Sequence, residues 1–294
     1  MAALSLTPAQ LTRWRKKLDE ALKVTRDLPW RNTRDPWFIL LAEVMLQQTQ
    51  AARVIDPYRA MIATFPNPEA MAQAPQADVV RLWAGLGYNS RAVRLHRCAK
   101  TIVERFDGIV PSEESALLSL PGIGSYTARA IMVFAFEQDH GVLDTNVSRV
   151  LSRLVAGQAL TRNQAQLLVD ALVIPGRAWT FNQALLDHGA TICKSTPDCE
   201  SCDLRRRCTW ARRGFDQPDP ASVSALAPTK QATFAGSNRQ LRGSLVSLAR
   251  DHSLDAASLS KLHGAFGVDR VDAALAALEA EGVLVKEKKV WTLA

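Results

Sequence analysis

Four of the five cysteines fall within sixteen residues, spaced Cys193-x5-Cys199-x2-Cys202-x5-Cys208. No other feature constrains the chain as tightly, because four thiols this close in sequence can enclose one metal centre. Structural zinc favours two C-x2-C pairs on separate knuckles, and this chain has one. The wider 5-2-5 spacing suits a cubane iron–sulfur cluster, whose ligands must reach four separate iron corners. A zinc knob or chance clustering is the alternative. The start, MAALSLTPAQLTRWRKK, lacks the apolar core of a signal peptide. No apolar run approaches the roughly 20 residues needed to span a bilayer. A cytoplasmic protein with no membrane partner is therefore expected, and there clustered cysteines more often bind metal than form disulfides. Cys98, on a helix with Val93 and Ile102, reads as a small buried hydrophobe.

The rest of the chain reads as helical. Its 294 residues suggest two domains, and 47% hydrophobic against 22% charged residues excludes a disordered chain. Aromatics are only 6%, while Leu and Ala are abundant, which favours helices over a sandwich or barrel of strands. Over residues 7–213 apolar residues recur at three and four, as in the helix opened by Thr7-Pro8 that carries Leu11, Trp14, Leu18 and Leu22. No strand alternation precedes residue 280, and there is no internal repeat. Residues 216–237, with Asp216, Pro218, Pro220, Pro228 and Gly236, read as a linker. Beyond it, helices near 239–250, 255–263 and 269–281 precede VLVKEKKVWTL, a hairpin pattern, so the tail resembles a winged helix. The net charge of +7 lies wholly before that tail, since Phe215 to Ala294 holds nine basic and nine acidic residues. A basic body suits a polyanion, with Arg91, Arg94 and Arg205 to Arg207 as candidate phosphate contacts. The neutral tail favours a protein contact slightly over DNA.

Three further patterns carry chemistry. Leu120-Pro121-Gly122-Ile123-Gly124-Ser125-Tyr126-Thr127-Ala128 separates two apolar helices. Gly122 and Gly124 allow a tight turn, and amides at the mouth of the next helix then face outward as an anion site. This is the sequence form of a helix-hairpin-helix, which holds a DNA phosphate without reading sequence; an ordinary interhelix turn is the bland reading. Glu43 stands within Phe38 to Leu46, an apolar run in which an ionised carboxylate is costly, so its pKa should rise. The alternative is a paired core Glu. Asp144 precedes a helix carrying Val150, Leu151 and Leu154, where it should cap the helix and stay ionised beside the dipole. A protonated acid and a carboxylate anion are what glycosidic bond cleavage requires.

With these stand Leu28-Pro29-Trp30-Arg31, Glu43-Val44-Met45-Leu46-Gln47-Gln48-Thr49-Gln50, Gly85-Leu86-Gly87-Tyr88, Leu143-Asp144-x-Asn146-Val147 and Phe181-Asn182-Gln183-Ala184. Their order over residues 8–213 resembles that of the A/G-specific adenine DNA glycosylases of MutY type, in the helix-hairpin-helix superfamily. The resemblance implies an all-α, two-lobed fold with a small winged-helix-like α+β domain at its C-terminus. Residues 1–28 with 138–213 would form the iron–sulfur domain and 29–137 a six-helix barrel; 214–237 would link them to 238–294. It implies a monomer that excises adenine opposite 8-oxoguanine or guanine, flipping the base from duplex DNA into a pocket. Glu43 would protonate the adenine, Asp144 would stabilise the cationic sugar, and Tyr126 and Asn146 would support that site. Gln48 and Tyr88 would fill the gap in the stack, Arg26, Trp30, Arg31 and Gln183 would surround the adenine, and Gly122 and Gly124 would meet a phosphate. The four clustered cysteines would hold a [4Fe–4S] cluster. Tyr126 stands where the endonuclease III branch has a nucleophilic Lys, and a phenol cannot form a Schiff base, so the enzyme should be monofunctional.

The sequence departs from the family pattern in two places. The first cysteine gap is five residues rather than the usual six, so the loop around Thr196-Pro197 should be tighter. Residues 215–294 are too short for the Nudix-like domain with which many members recognise 8-oxoguanine. Two rival readings stand beside the main one. Thymine or uracil mispair glycosylases share the fold and also carry the hairpin Tyr, but Glu43 and Gln47-Gln48-Thr49 favour adenine. A non-catalytic regulator using the cluster as a redox sensor is opposed by the presence of both Glu43 and Asp144.

Overall fold

The computed structural model describes residues 6–227, 233–288 and 290–294. Pro228, in the expected linker, and Lys289, in the expected hairpin, lie outside the described residues, as does the N-terminal stretch 1–5. Packing divides the chain into two compact units, each assembled from two stretches. The first comprises residues 1–27 and 125–230, the second residues 28–124 and 231–294.

Helix α1 (Pro8–Ala21) opens the first unit. Thr7 caps it in both directions with Gln10, and Pro8 sits in the first turn, where no N–H is needed. The chain then enters the second unit through six helices, α2 (Pro36–Leu46), α3 (Ala51–Thr64), α4 (Pro68–Gln73), α5 (Gln76–Leu82), α6 (Ser90–Phe106) and α7 (Glu114–Leu118). Pro36 and Pro68 each stand just inside a helix, behind the caps Asp35 and Asn67. Leu40, Leu41 and Met45 of α2 meet α3 and α6, which bury Val54, Tyr58 and Met61, and Leu95 and Ile102.

The first unit resumes with α8 (Ser125–Phe134), α9 (Thr145–Leu151), α10 (Arg162–Leu172), α11 (Ala178–Thr191) and α12 (Thr209–Arg212). Both α8 and α9 pack on α11, and α1 packs on α10, where Arg15 Nη2 donates to the Ala171 carbonyl at 2.8 Å. Arg129 of α8 pairs with Asp170 of α10 at 2.8 Å, tying α8 to this unit. After Leu151 the helix widens to i→i+5 bonding over Ser152–Ala156 and ends at Gly157 with φ 62°. Within the stretch expected as a linker, residues 216–227 are packed. Asp219 pairs with Arg153, and the Ser224 hydroxyl lies 2.8 Å from that of Ser152.

The tail adds α13 (Asn238–Asp251), α14 (Ala256–Phe266), α15 (Val268–Ala280) and an antiparallel hairpin of β1 (Leu284–Glu287) and β2 (Val290–Leu293). Leu254 bridges Trp291, so the order is that of a winged helix. The tail packs within the second unit, where Gln76 Nε2 donates to the Gly282 carbonyl at 2.7 Å. The fold is thus all-α with a small α+β C-terminal part, as expected. Among the described residues no helix is long and apolar enough to cross a membrane.

Candidate active site and cysteine cavity

In the second unit α2 has no polar face. Ile39, Leu40, Leu41, Val44 and Met45 are buried, and Glu43 is buried among them at 5% exposure. The chain leaves α2 through Gln48 at φ 56°, and the Gly85-Leu86-Gly87 turn ends on Tyr88 at φ 48°. Left-handed conformations cost non-glycine residues about 1–3 kcal/mol and persist only where the surroundings enforce them. Arg91 does so at both turns. Its Nη1 donates to the carbonyls of Val44 (3.1 Å), Met45 (3.0 Å) and Gln47 (2.5 Å). Its Nη2 donates to the Thr49 hydroxyl (3.0 Å) and the carbonyls of Leu86 (3.2 Å) and Gly87 (3.0 Å). The rings of Trp83 and Tyr88 flank it at 5.1 and 5.6 Å. Burial lowers its pKa to about 10, so it stays cationic at neutral pH.

This corrects the expectation that Arg91 contacts phosphate, because at 5% exposure both its terminal nitrogens are committed to acceptors inside the protein. The signal was in its spacing, which places Arg91, Leu95, Cys98 and Ile102 on one face of α6. Arg94 is exposed, as that role requires. Cys98 is fully buried, and burial pushes its thiol up to about 12, in keeping with a hydrophobe.

The hairpin glycines differ. Gly122 has φ 82°, and a Cβ there would lie 3.1 Å from that of Arg94, while its carbonyl accepts from Gln47 Nε2 at 3.2 Å. Gly124 is exposed, has an ordinary φ and faces open space where a Cβ would stand. Trp30 and Arg31 are buried, and Trp30 packs edge-to-face on Tyr58 at 5.6 Å.

In the first unit Tyr126 is half-buried in the opening turn of α8. Asp144 caps α9. One carboxylate oxygen accepts from the Val147 N–H and the other from Asn146 Nδ2, both at 2.7 Å. Burial pushes the Asp144 carboxyl above its ordinary range, while those bonds and the Arg149 cation pull it down. The helix cap therefore does not by itself decide its ionisation. Arg149 continues the network, with Nη2 donating to Asn146 Oδ1 and the Gly189 carbonyl at 2.8 Å each and Nε to the Cys193 carbonyl at 2.7 Å. A Cβ on Gly189 would come within 2.8 Å of the Asn146 Cβ, so this crossing of α11 and α9 requires glycine.

Helix α11 carries Gln183, buried, and Asp187 one turn on. The Asp187 carboxylate accepts from the N–H groups of Thr25 (2.8 Å) and Arg26 (2.9 Å) and from Arg26 Nε (2.5 Å), which fixes Arg26 beside this helix. Asn182, also buried, accepts from the Val142 N–H at 2.7 Å and so holds the segment leading to Asp144. Sequence reasoning missed Arg149, Arg153, Asp187 and Asp219, whose partners lie far along the chain.

Cys193, Cys199, Cys202 and Cys208, none of them in a disulfide, line one cavity, with Arg153, His188 and Trp210 also in its wall. The five-residue gap is closed by a hydrogen bond from Asp198 N–H to the Ile192 carbonyl at 3.0 Å. Among the described residues, no three His, Cys, Asp or Glu side chains converge as they would around a single ion. Four soft sulfur donors spread over the wall of one shared cavity fit the donor set of an iron–sulfur cubane.

Residues 41–171 match the HhH-GPD superfamily of base excision DNA repair proteins. The chain is 42% identical over 253 residues to an adenine DNA glycosylase of Mycolicibacterium smegmatis, covering 84% of this chain and 82% of that one. It is also 42% identical to an adenine DNA glycosylase of Mycobacterium tuberculosis, over 76% and 74% of the two chains. Among solved structures, a thermostable thymine-DNA glycosylase superposes with a TM-score of 0.61 at 29% identity, covering 69% of this chain and 95% of the other.

Proposed function

The chain belongs to the adenine DNA glycosylases, and from that premise we propose that it removes adenine paired with 8-oxoguanine or guanine in duplex DNA, as a monofunctional enzyme of base excision repair. The observation that carries this reading is a pair of carboxylates in contrasting settings. Glu43 is sealed into an apolar helix, and Asp144 is held by two donors at a helix mouth.

Glycosidic cleavage needs a proton on the departing base and negative charge beside an oxocarbenium-like sugar. Glu43 is the proton donor to adenine, and Asp144 is the anion beside the sugar, oriented by Asn146. Tyr126 supports that site without offering an amine, so water completes the hydrolysis and no covalent imine forms. We assign Trp30 and Arg31 of the second unit, and Arg26 and Gln183 of the first, to recognition of the flipped adenine. Gln48 and Tyr88, already fixed in left-handed turns, enter the stack in its place. Gly122 and Gly124 bring backbone amides to a phosphate.

Cys193, Cys199, Cys202 and Cys208 hold a [4Fe–4S] cluster. When bound, it supplies a rigid, redox-active cross-link among four points of the loop. The protein works as a monomer on DNA in the cytoplasm.

The test is a panel of duplexes holding A:8-oxoG, A:G, T:G or U:G, incubated with protein and then cleaved at abasic sites by alkali. Strand breaks at A:8-oxoG and A:G are expected. The likeness to a thymine-DNA glycosylase supplies the second reading, and breaks at T:G without breaks at A:G would establish that instead.

A further inference from the structure

Arg153 lies in the widened turn after α9, and its side chain is only 3% exposed. It touches both ends of the cysteine loop. Nη1 donates to the Lys194 carbonyl at 2.6 Å and lies 3.6 Å from the Cys193 sulfur, and Nη2 donates to the Ser195 carbonyl at 2.9 Å. Its own carbonyl oxygen lies 3.3 Å from the Cys208 sulfur. Its guanidinium stacks over the Trp210 ring at 5.3 Å. The remaining edge of the guanidinium is taken by Asp219, which accepts from Nε at 2.9 and 3.2 Å and also from Nη2. A guanidinium presents its donors in a rigid plane, so a bidentate carboxylate on one edge sets the aim of the other.

Asp219 is itself fixed. It accepts from the Ala221 N–H at 2.9 Å, and Ser224 anchors the same stretch through the Ser152 hydroxyl at 2.8 Å and the Leu160 N–H at 3.0 Å. A stretch whose prolines and acidic residues suggested plain tether is therefore tied, through Asp219, to an arginine in the wall of the cysteine cavity.

We propose that Asp219 is a positioning residue for the metal centre, holding Arg153 so that it donates to the Cys193 sulfur and clamps the carbonyls of the two residues that follow. This rests on the reading that the four cysteines hold an iron–sulfur cluster. Donors to ligating sulfur favour the more reduced, more negative state, and partners outside the ligand set govern metal retention by roughly 10–100-fold.

The experiment uses the full chain purified with its metal. Iron content and visible absorbance of the wild type come first, and iron-free wild type would sink the cluster reading itself. Given a loaded wild type, Asp219→Ala and the gentler Asp219→Asn should lose visible absorbance to a chelator on the order of tenfold faster, and their reduction potential should move away from that of the wild type. Asp219→Glu should restore both toward wild type. Chelator kinetics and a potential that match wild type in Ala and Asn overturn the proposal. So does accelerated loss at an unchanged potential, which would make Asp219 a packing residue alone.

Discussion

Asp144 receives two donors at 2.7 Å, yet burial acts on it more strongly and raises its carboxyl above the ordinary range. The anion is the form that can stand beside a cationic sugar. Single-turnover excision should therefore fall as pH drops through that raised value, placing the acid limb above the ordinary Asp value of about 4. Asn146→Ala removes a bond that favours the anion, so the limb should move to still higher pH; movement the other way would contradict the assignment. Asp144→Asn should abolish turnover while duplex binding, read by gel shift, persists. At Tyr126 the corresponding expectation is the absence of borohydride-trapped protein on DNA.

Helix caps and apolar periodicity are local, so α2, the hairpin turn and the three tail helices could be read from residues a few positions apart. Long-range pairing could not. Arg91 resembles any basic residue on α6 until its six acceptors, drawn from two separate turns, are seen together. Arg153 and Asp219 lie 66 positions apart, and the Pro-rich surroundings of Asp219 carry no hint of a buried partner. Arg91→Lys keeps the charge but loses the fork, leaving several carbonyls without a donor. We expect destabilisation on the order of 3 kcal/mol in thermal melts, with weaker excision as Gln48 and Tyr88 lose their enforced geometry. Gly189→Ala tests the α9–α11 crossing. The added methyl meets the Asn146 Cβ at 2.8 Å and its carbonyl oxygen at 3.0 Å, so one helix must shift. Stability should drop by about 1–3 kcal/mol, while the rate falls on the order of 10²-fold if Asp144 has the proposed role, because displacement of a carboxylate beside the reacting sugar is penalised steeply. A rate loss no larger than the stability loss explains would rule out that link.

Over the whole molecule, the +7 excess belongs to residues 1–214 and the tail is neutral. Duplex affinity should fall steeply with salt. Arg205→Gln with Arg206→Gln, both exposed, should flatten the log–log slope by about one for each phosphate no longer neutralised. Lys261→Gln in the tail should leave the slope unchanged, and an equal flattening there would place the tail on DNA.

Each unit is assembled from separated stretches of chain, and this bears on how the protein is made. Arg15 of α1 bonds to Ala171, 156 positions later, and Gln76 waits for Gly282, 206 positions later. A ribosome adding about 5–20 residues per second releases α1 many seconds before α10 exists to receive it. The nascent chain must therefore carry unburied apolar faces through most of its synthesis. Neither unit is complete when translation is halfway, and a stalled ribosome leaves a chaperone client rather than a finished half.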